Sequence, residues 1–169
     1  MVTGLILAEG ASEEVAMTLA ALVPAVVEGL MGDAVIVARQ ADSALKSIAE
    51  VAGANLVIAP LDTDPWRTGA IHARREWLLC LQSGEVPREG WMRAVERFLA
   101  IAPRRHQPLG RFSRRQAGHL FIDLVDRVTG TRSVRAGDLA RRDWLTARQP
   151  ARVRPMRIGA VIERDFAAR

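Results

Sequence analysis

The sequence predicts an α/β fold whose central sheet is mostly parallel, and three observations support this prediction. Short runs of apolar residues recur through the first half of the chain, at residues 2–8, 34–38, 55–59 and 77–81. Each run is shorter than a typical helix and, apart from Thr3 and Asn55, free of polar side chains, which indicates a strand buried on both faces. Segments with helical spacing of apolar residues separate the runs. Strands that alternate with helices are typical of βαβ units with parallel pairing and right-handed crossovers.

Capping and breaking residues set the boundaries of the elements in the first half. Ser12 has the features of a helix N-cap because acidic residues follow it in the first turn, and Asp42 or Ser43 is expected to cap the second helix. Pro24 is expected to kink or divide the first helix, and the Gly-Asp pair at residues 32–33 is predicted to turn the chain into the second strand. The predicted helices cover about residues 13–30, 43–53 and 68–75, and a loop at 61–68 precedes the last of them.

The second half of the chain is less regular. A polar turn at residues 82–85 follows the fourth apolar run, and Pro87 is predicted to precede a helix that starts near residue 91 and ends near Pro103. The remaining predictions are a basic loop at 103–116 with a strand near 109–113, a helix or strand at 120–128, one short element at 138–145 and a closing strand at 154–164. We expect one domain, with an α/β half at residues 1–103 and a basic half at residues 104–169.

Charge is distributed unevenly along the chain. Residues 1–100 hold 8 Lys and Arg against 13 Asp and Glu, whereas residues 101–169 hold 16 against 6. The basic residues of the second half are arginines, which suit the recognition of phosphate or carboxylate groups, although a solvated basic surface would have the same composition. A nucleic-acid partner is not expected, because these arginines are scattered and the chain has no tyrosine to stack on bases.

Cysteine, histidine and hydropathy patterns narrow the class of protein further. The single cysteine, Cys80, lies inside an apolar run and is expected to be a buried thiol. The three histidines, His72, His106 and His119, lack the spacing of metal ligands. No window of 18 apolar residues and no basic segment before the first apolar run is present, so we expect a cytoplasmic protein with no transmembrane segment.

Framework segments in the first hundred residues resemble the family 2 glycosyltransferases. The segments that carry the resemblance are Gly4-Leu5-Ile6-Leu7, residues 19–24, 34–38 and 48–54, and residues 73–81 running into Val86 and Gly90-Trp91. The resemblance implies a GT-A fold, which is a Rossmann-like three-layer sandwich that binds a nucleoside diphosphate or a nucleotide-sugar. It also implies an acidic residue after the second strand that contacts the base, and an Asp-x-Asp turn that holds a divalent cation such as Mn²⁺ or Mg²⁺.

The sequence departs from the family pattern at both of these positions. Arg39 stands where the base-binding acid is expected, and Asp42 is the nearest substitute. The Asp-x-Asp turn is replaced by neutral residues that are weak ligands for a hard cation, so a divalent metal is not expected there. The candidate nucleotide- or substrate-binding residues are Glu9, Arg39, Asp42, Arg67, Gln82, Ser83 and Gly84, and the one acidic candidate for a metal ligand is Glu85.

The family's later acidic motif, which supplies the base for the acceptor hydroxyl, has a candidate in Asp138. The segment at residues 137–145 resembles that region, and Asp143 is expected to cap a short helix instead. Trp66 and Arg67 are predicted to lie in a loop that faces the cleft. Arg67, or the arginines at 104–115, would neutralise the diphosphate in place of a cation.

Three functions remain open on this basis. The first is a GT-A domain that keeps the fold without metal-dependent sugar transfer and acts as a binding or scaffolding subunit, with another protein or a second copy as its partner. The alternative is an active, metal-independent nucleotide-sugar glycosyltransferase that holds the diphosphate with arginines. A protein that binds nucleic acid or an acidic surface through the basic half is the third and least favoured.

Overall fold

The structure, a computed structural model, describes residues 1–114, 126 and 129–164. The strands are β1 (Val2–Ala8), β2 (Met31–Ala38), β3 (Asn55–Ile58), β4 (Trp77–Gln82), β5 (Glu85–Pro87), β6 (Leu109–Arg114), β7 (Asp138–Arg141) and β8 (Met156–Arg164). The α-helices whose bounds lie within these residues are α1 (Ser12–Val27), α2 (Ser43–Val51), α3 (Pro65–His72), α4 (Trp91–Ile101) and α5 (Arg142–Thr146). The four strands predicted in the first half are all present.

All eight strands form one sheet in the order β3-β2-β1-β4-β7-β6-β8-β5. Neighbouring strands among β1 to β4 are parallel, and β6 is parallel to β8. Strand β7 runs antiparallel between β4 and β6, and β5 runs antiparallel along β8. Strands β1, β2, β3, β4, β6 and β8 therefore point the same way, and we call the edge where they end the carboxyl edge. The prediction of an α/β fold with a mostly parallel sheet is confirmed.

Helices cover both faces of this sheet, which gives three layers. Alternate residues of β4 face opposite sides, because successive side chains of a strand point to opposite faces. Leu79 and Leu81 join a core with α1, α2 and α4, whereas Leu78 and Cys80 join a second core with α3 and α5. Cys80 is fully buried, as expected, and burial raises the pKa of its thiol well above the ordinary value. Among the described residues, no helix is long and apolar enough to cross a membrane.

Several boundary predictions in the first half were wrong. Ser12 is the first residue of α1 rather than its cap, since the N-cap is Ala11, and the helix continues through Pro24 to Val27 without being divided. The Gly-Asp pair at 32–33 lies inside β2 and is not a turn. Asp33 is accommodated in the strand because its carboxylate accepts a hydrogen bond from Thr3 Oγ1 (2.7 Å) and pairs with Arg75.

Helix α3 begins three residues earlier than predicted. Asp64 caps it by accepting a hydrogen bond from Trp66 N (2.9 Å), and Pro65 occupies the first turn, where proline is favoured. Trp66 and Arg67 therefore lie on a helix, not in the predicted loop, and Trp66 is buried in the second core.

In the second half, the helix predicted to follow Pro87, from near residue 91 to near Pro103, is confirmed as α4, although Pro87 itself lies in the short strand β5. Two other predictions need correction or fall outside the described residues. The segment at 138–145 contains two elements, β7 and most of α5, instead of one. The element predicted at 120–128 falls, except for Asp126, outside the described residues.

Gly69 on α3 lies directly against β1 and β2. A Cβ atom at this position would come closer than 3.0 Å to Leu5 Cδ1 and to Val37 Cγ2. Alanine normally favours a helix over glycine by about 1 kcal/mol, but overpacking a core costs about 1–3 kcal/mol. We expect Gly69→Ala to lower the free energy of unfolding by about 1–2 kcal/mol in urea denaturation. Gly159→Ala is the control, because a Cβ there meets nothing within 4 Å. An unchanged or more stable Gly69→Ala would contradict this packing.

Candidate functional site

The carboxyl edge brings together polar residues from distant parts of the sequence. Glu9 follows β1, Gln82 ends β4, and Arg114 and Arg164 end β6 and β8. In open α/β sheets, ligands bind beyond the carboxyl ends of the strands. This edge is therefore the candidate site.

The turn after β4 is fixed against β1 and α1 by hydrogen bonds within the chain. The buried Ser83 hydroxyl donates to the Glu9 carbonyl oxygen and accepts from the Glu9 amide (3.2 Å). The Gly84 amide donates to the Glu14 carbonyl oxygen (3.1 Å) and to Thr18 Oγ1 (2.9 Å). Gly84 has a φ of +82°, a conformation that favours glycine. The predicted residues Ser83 and Gly84 thus hold the shape of the turn.

Two carboxylates contact Gln82, the residue before this turn. The Gln82 amide donates to Glu85 Oε2 at 2.8 Å, and its side-chain Nε2 donates to Glu9 Oε2. Glu85 is buried and forms an ion pair with the Arg114 guanidinium. Burial raises the pKa of the Glu85 carboxyl above its ordinary value, while Arg114 acts in the opposite direction. Glu85 is therefore an internal ion-pair partner at this edge.

A second ion pair lies close to Gly84. Arg164 Nη2 is 3.5 Å from Glu14 Oε2. A Cβ on Gly84 would lie 3.3 Å from that same carboxylate oxygen and 3.6 Å from Arg164 Nε. The turn is thus flanked by two guanidinium–carboxylate pairs.

The side chains at this turn do not fit the divalent cation that the sequence resemblance implies. Hard cations need several available carboxylate or carbonyl oxygens. Here Gln82 and Ser83 are neutral, and the Glu85 carboxylate is held by Arg114. Within residues 1–114, 126 and 129–164, no group of three or more His, Cys, Asp or Glu side chains could hold a metal ion. His119 lies outside these residues.

A separate polar pocket of about 270 Å³ opens between the ends of β1 and β2. Its polar lining comes from Ser12, Gln40 and Asp42, at the N-termini of α1 and α2. Asp42 caps α2 by accepting a hydrogen bond from the Leu45 amide (2.8 Å). Backbone amides and the helix dipole at such N-termini favour anionic groups. In this pocket the Asp42 carboxylate already takes that place at α2, and the described lining includes no Lys or Arg, so the lining is polar without a cation.

Arg39 does not line this pocket, although it follows β2 directly. Its guanidinium donates to the carbonyl oxygens of Ala59 (3.3 Å), Pro60 and Thr63 (3.0 Å). These bonds fasten the loop after β3 to the end of β2. The contacts of Arg39 are thus those of a residue that positions the loop.

Asp138 belongs to a buried ion-pair network. It is fully buried, and its two oxygens accept from Arg111 Nε (2.7 Å) and Nη2 (2.9 Å), while Oδ2 also accepts from the Arg135 amide. Asp126 pairs with both Arg111 and Arg135. Burial raises the pKa of Asp138, which Arg111 opposes. A role as acceptor base stays a prediction, and these contacts are those of a structural carboxylate.

Arg67 contacts α5, on the second face of the sheet. Its Nη2 donates to the Thr146 carbonyl oxygen at 3.1 Å. The contact links α3 to α5, so the described partner of Arg67 is not part of the turn after β4.

The structure therefore divides the predicted site residues into separate groups. Those that meet at the turn after β4 are Glu9, Gln82, Ser83, Gly84 and Glu85. Asp42 lines the pocket at β2, and Arg39, Arg67 and Asp138 bind other parts of the chain. Glu14 and Arg164 could not be recognised as partners from the sequence, because they lie 150 residues apart and no local signal connects them. Arg114 belonged to a recognised basic stretch, but its pairing with Glu85 was not foreseen.

Comparisons with known proteins connect this geometry to a fold. No protein-family model matches the chain, and no curated protein matches it in a sequence search. Several solved structures resemble it. Glucosyl-3-phosphoglycerate synthase from Mycobacterium tuberculosis, in complex with Mn²⁺ and UDP-glucose, matches with a TM-score of 0.61 and 11% identity over 85% of this chain and 57% of that chain.

Two further structures from other bacteria agree. Mannosyl-3-phosphoglycerate synthase from Rubrobacter xylanophilus has a TM-score of 0.61 and 9% identity over 85% of this chain and 54% of that chain. S. aureus TarS, in complex with UDP-GlcNAc, has a TM-score of 0.53 and 16% identity over 86% and 46%. The chain thus spans about half the length of these structures, and identity at this level shows the fold alone. The protein has a GT-A-like fold, the fold of these glycosyltransferases.

Proposed function

We propose that this protein is a nucleotide-binding GT-A-like domain that does not carry out metal-dependent sugar transfer and acts as a binding or scaffolding subunit. The observation that carries the proposal is the turn after β4. Metal-dependent transfer uses a cation to stabilise charge on the departing diphosphate. At this turn, Gln82 and Ser83 offer neutral groups, and Glu85 is held by Arg114.

The pocket between β1 and β2 supports the nucleotide part of the proposal. It lies beyond the carboxyl ends of two parallel strands and combines helix N-termini with polar side chains. The M. tuberculosis neighbour is a complex with UDP-glucose, and TarS is a complex with UDP-GlcNAc. The ligand class we propose for this chain is a nucleoside diphosphate or its sugar conjugate.

An added negative charge at the pocket tests this assignment. In thermal-shift titrations in EDTA, UDP or GDP is expected to raise the Tm of the wild type, because a ligand that binds only the folded state stabilises it. Gln40→Glu adds a negative charge at an exposed position in the pocket and is expected to weaken binding of the anionic ligand about 5–10-fold. Gln149→Glu, at an exposed position that does not line the pocket, is the matched control. Equal affinities for the two variants would place the ligand elsewhere.

A metal-independent transferase is the second candidate, because Arg114 and Arg164 both reach the carboxyl edge. In that case the guanidinium groups would neutralise the diphosphate as the sugar leaves. The two candidates differ in turnover. Hydrolysis of UDP-glucose or UDP-GlcNAc to UDP and free sugar in the presence of EDTA, with water as the acceptor and lost in Arg164→Met, would favour the transferase. Nucleotide binding without hydrolysis favours the binding subunit.

A further inference from the structure

We infer that Arg114 is a built-in cation at the end of β4, where its guanidinium occupies the position against Glu85 that a divalent cation would otherwise take. This inference concerns the apoprotein and does not depend on nucleotide binding. It predicts that divalent cations do not change the stability of the protein unless the guanidinium is removed.

The sheet topology delivers Arg114 to this position. Strand β6 runs in the same direction as β4, with β7 between them, so its last residue reaches the same edge. The side chain passes Gly137, where a Cβ would lie 2.9 Å from Arg114 Nε and where φ is +83°. A side chain at residue 137 would therefore displace the guanidinium. The fold leaves room for Arg114 to reach Glu85.

The Arg114–Glu85 pair is well shielded from water. The side chain of Arg114 is 16% exposed and that of Glu85 is 4% exposed. A buried carboxylate needs a charge partner, because an uncompensated buried charge is strongly destabilising. The ionised Glu85 carboxylate therefore needs a cation beside it. In this chain that cation is the guanidinium of Arg114.

A second carboxylate, that of the exposed Glu9, contacts the same glutamine, Gln82. Glu85 and Glu9 both bind Gln82, through its backbone amide and its side chain respectively. Removing the guanidinium would leave two carboxylates in contact with Gln82. The side-chain oxygen of Gln82 is a further oxygen ligand for a metal. Oxygen donors of this kind are the ones that Mn²⁺ and Mg²⁺ prefer. Loss of Arg114 is therefore expected to create a cation site.

The test is a thermal-shift titration with Mn²⁺ alone on the full chain. The Tm of the wild type is expected to be the same in EDTA and in Mn²⁺. Arg114→Met is expected to melt lower in EDTA and to recover about 2–4 °C when Mn²⁺ reaches roughly five times its dissociation constant. The double variant Arg114→Met/Glu85→Gln should lose this recovery. Arg88→Met is the matched control, since Arg88 also pairs with a glutamate, Glu163, but is 53% exposed.

Three results would overturn the inference. One is a saturable stabilisation of the wild type by Mn²⁺ that Glu85→Gln abolishes, because the edge would then already hold a metal. Another is a folded Arg114→Met with no response to Mn²⁺, and the third is an equal response in Arg88→Met. If Arg114→Met does not fold, the Mn²⁺ titrations of the wild type and of Glu85→Gln decide. A wild-type Tm that does not change with Mn²⁺ supports the built-in cation. A rise in the wild-type Tm that Glu85→Gln removes contradicts it.

Discussion

Replacement of Asp138 by alanine is expected to lower the free energy of unfolding by about 3–5 kcal/mol, because it leaves the guanidinium of Arg111 buried without its bidentate partner. The pair also stabilises the charged form of Arg111. Burial alone would lower the pKa of Arg111, but its hydrogen bonds to Asp138 and Asp126 raise it above the ordinary value. Urea denaturation at neutral pH measures the effect, which is a large part of the 5–15 kcal/mol that stabilises a typical domain.

Asp143→Ala is the matched control for this prediction. Asp143 also pairs with an arginine, Arg141, but its side chain is 64% exposed. Exposed ion pairs contribute at most about 1 kcal/mol, so this variant should stay close to the wild type. If Asp138→Ala also unfolded within 1 kcal/mol of the wild type, the network would not be structural, and the predicted role of Asp138 as acceptor base would gain support.

Trp77→Ala is expected to cost about 3–5 kcal/mol of stability, the range for removing a buried aromatic side chain. Trp77 begins β4, the strand that joins the parallel half of the sheet to the mixed half. Its ring meets Phe98 of α4 edge to face, with centroids 5.4 Å apart. Truncation would open a cavity between the sheet and α4. Chemical denaturation followed by far-UV circular dichroism measures the loss.

An exposed apolar residue provides the comparison for Trp77. Leu61 is 86% exposed, and Leu61→Ala should change stability by less than about 0.5 kcal/mol. Similar small losses for both variants would mean that the first core does not depend on the contact between β4 and α4.

The parallel half of the sheet could be predicted because its strands are continuous apolar runs. Residues 77–81 are apolar since β4 is covered on both faces, and the same holds for most of β1 and the second half of β2. The errors arose where a polar residue has a tertiary partner. Asp33 looked like a turn residue, yet it lies in β2 because Thr3 and Arg75 bind its carboxylate.

The start of α3 is a different kind of error, since the sequence did contain the signal. Asp64 followed by Pro65 is a helix start, with a capping carboxylate and a proline in the first turn. Reading this pair as part of a loop placed Arg67 in the cleft. The structure instead places Arg67 on α3 with a partner on α5.

The candidate site was predictable in position but not in its contacts. Strand order along the chain was enough to locate the turn at residues 82–85, because ligand sites lie at the ends of parallel strands. The partners of that turn come from far away in sequence. Ser83 binds Glu9, 74 residues earlier, and Glu85 binds Arg114, 29 residues later. No local pattern specifies such pairs, since they depend on where β1 and β6 lie in the sheet.

Calorimetric titration of UDP into the metal-free protein, with and without Mn²⁺, tests most directly whether this edge binds a nucleotide without a divalent cation. The predicted result is a saturable interaction in EDTA whose Kd changes less than about threefold when Mn²⁺ is added, which is below 1 kcal/mol. The account would be contradicted if Mn²⁺ lowered the Kd for UDP tenfold or more and Glu85→Gln abolished this effect. It would also be contradicted if UDP did not bind under either condition.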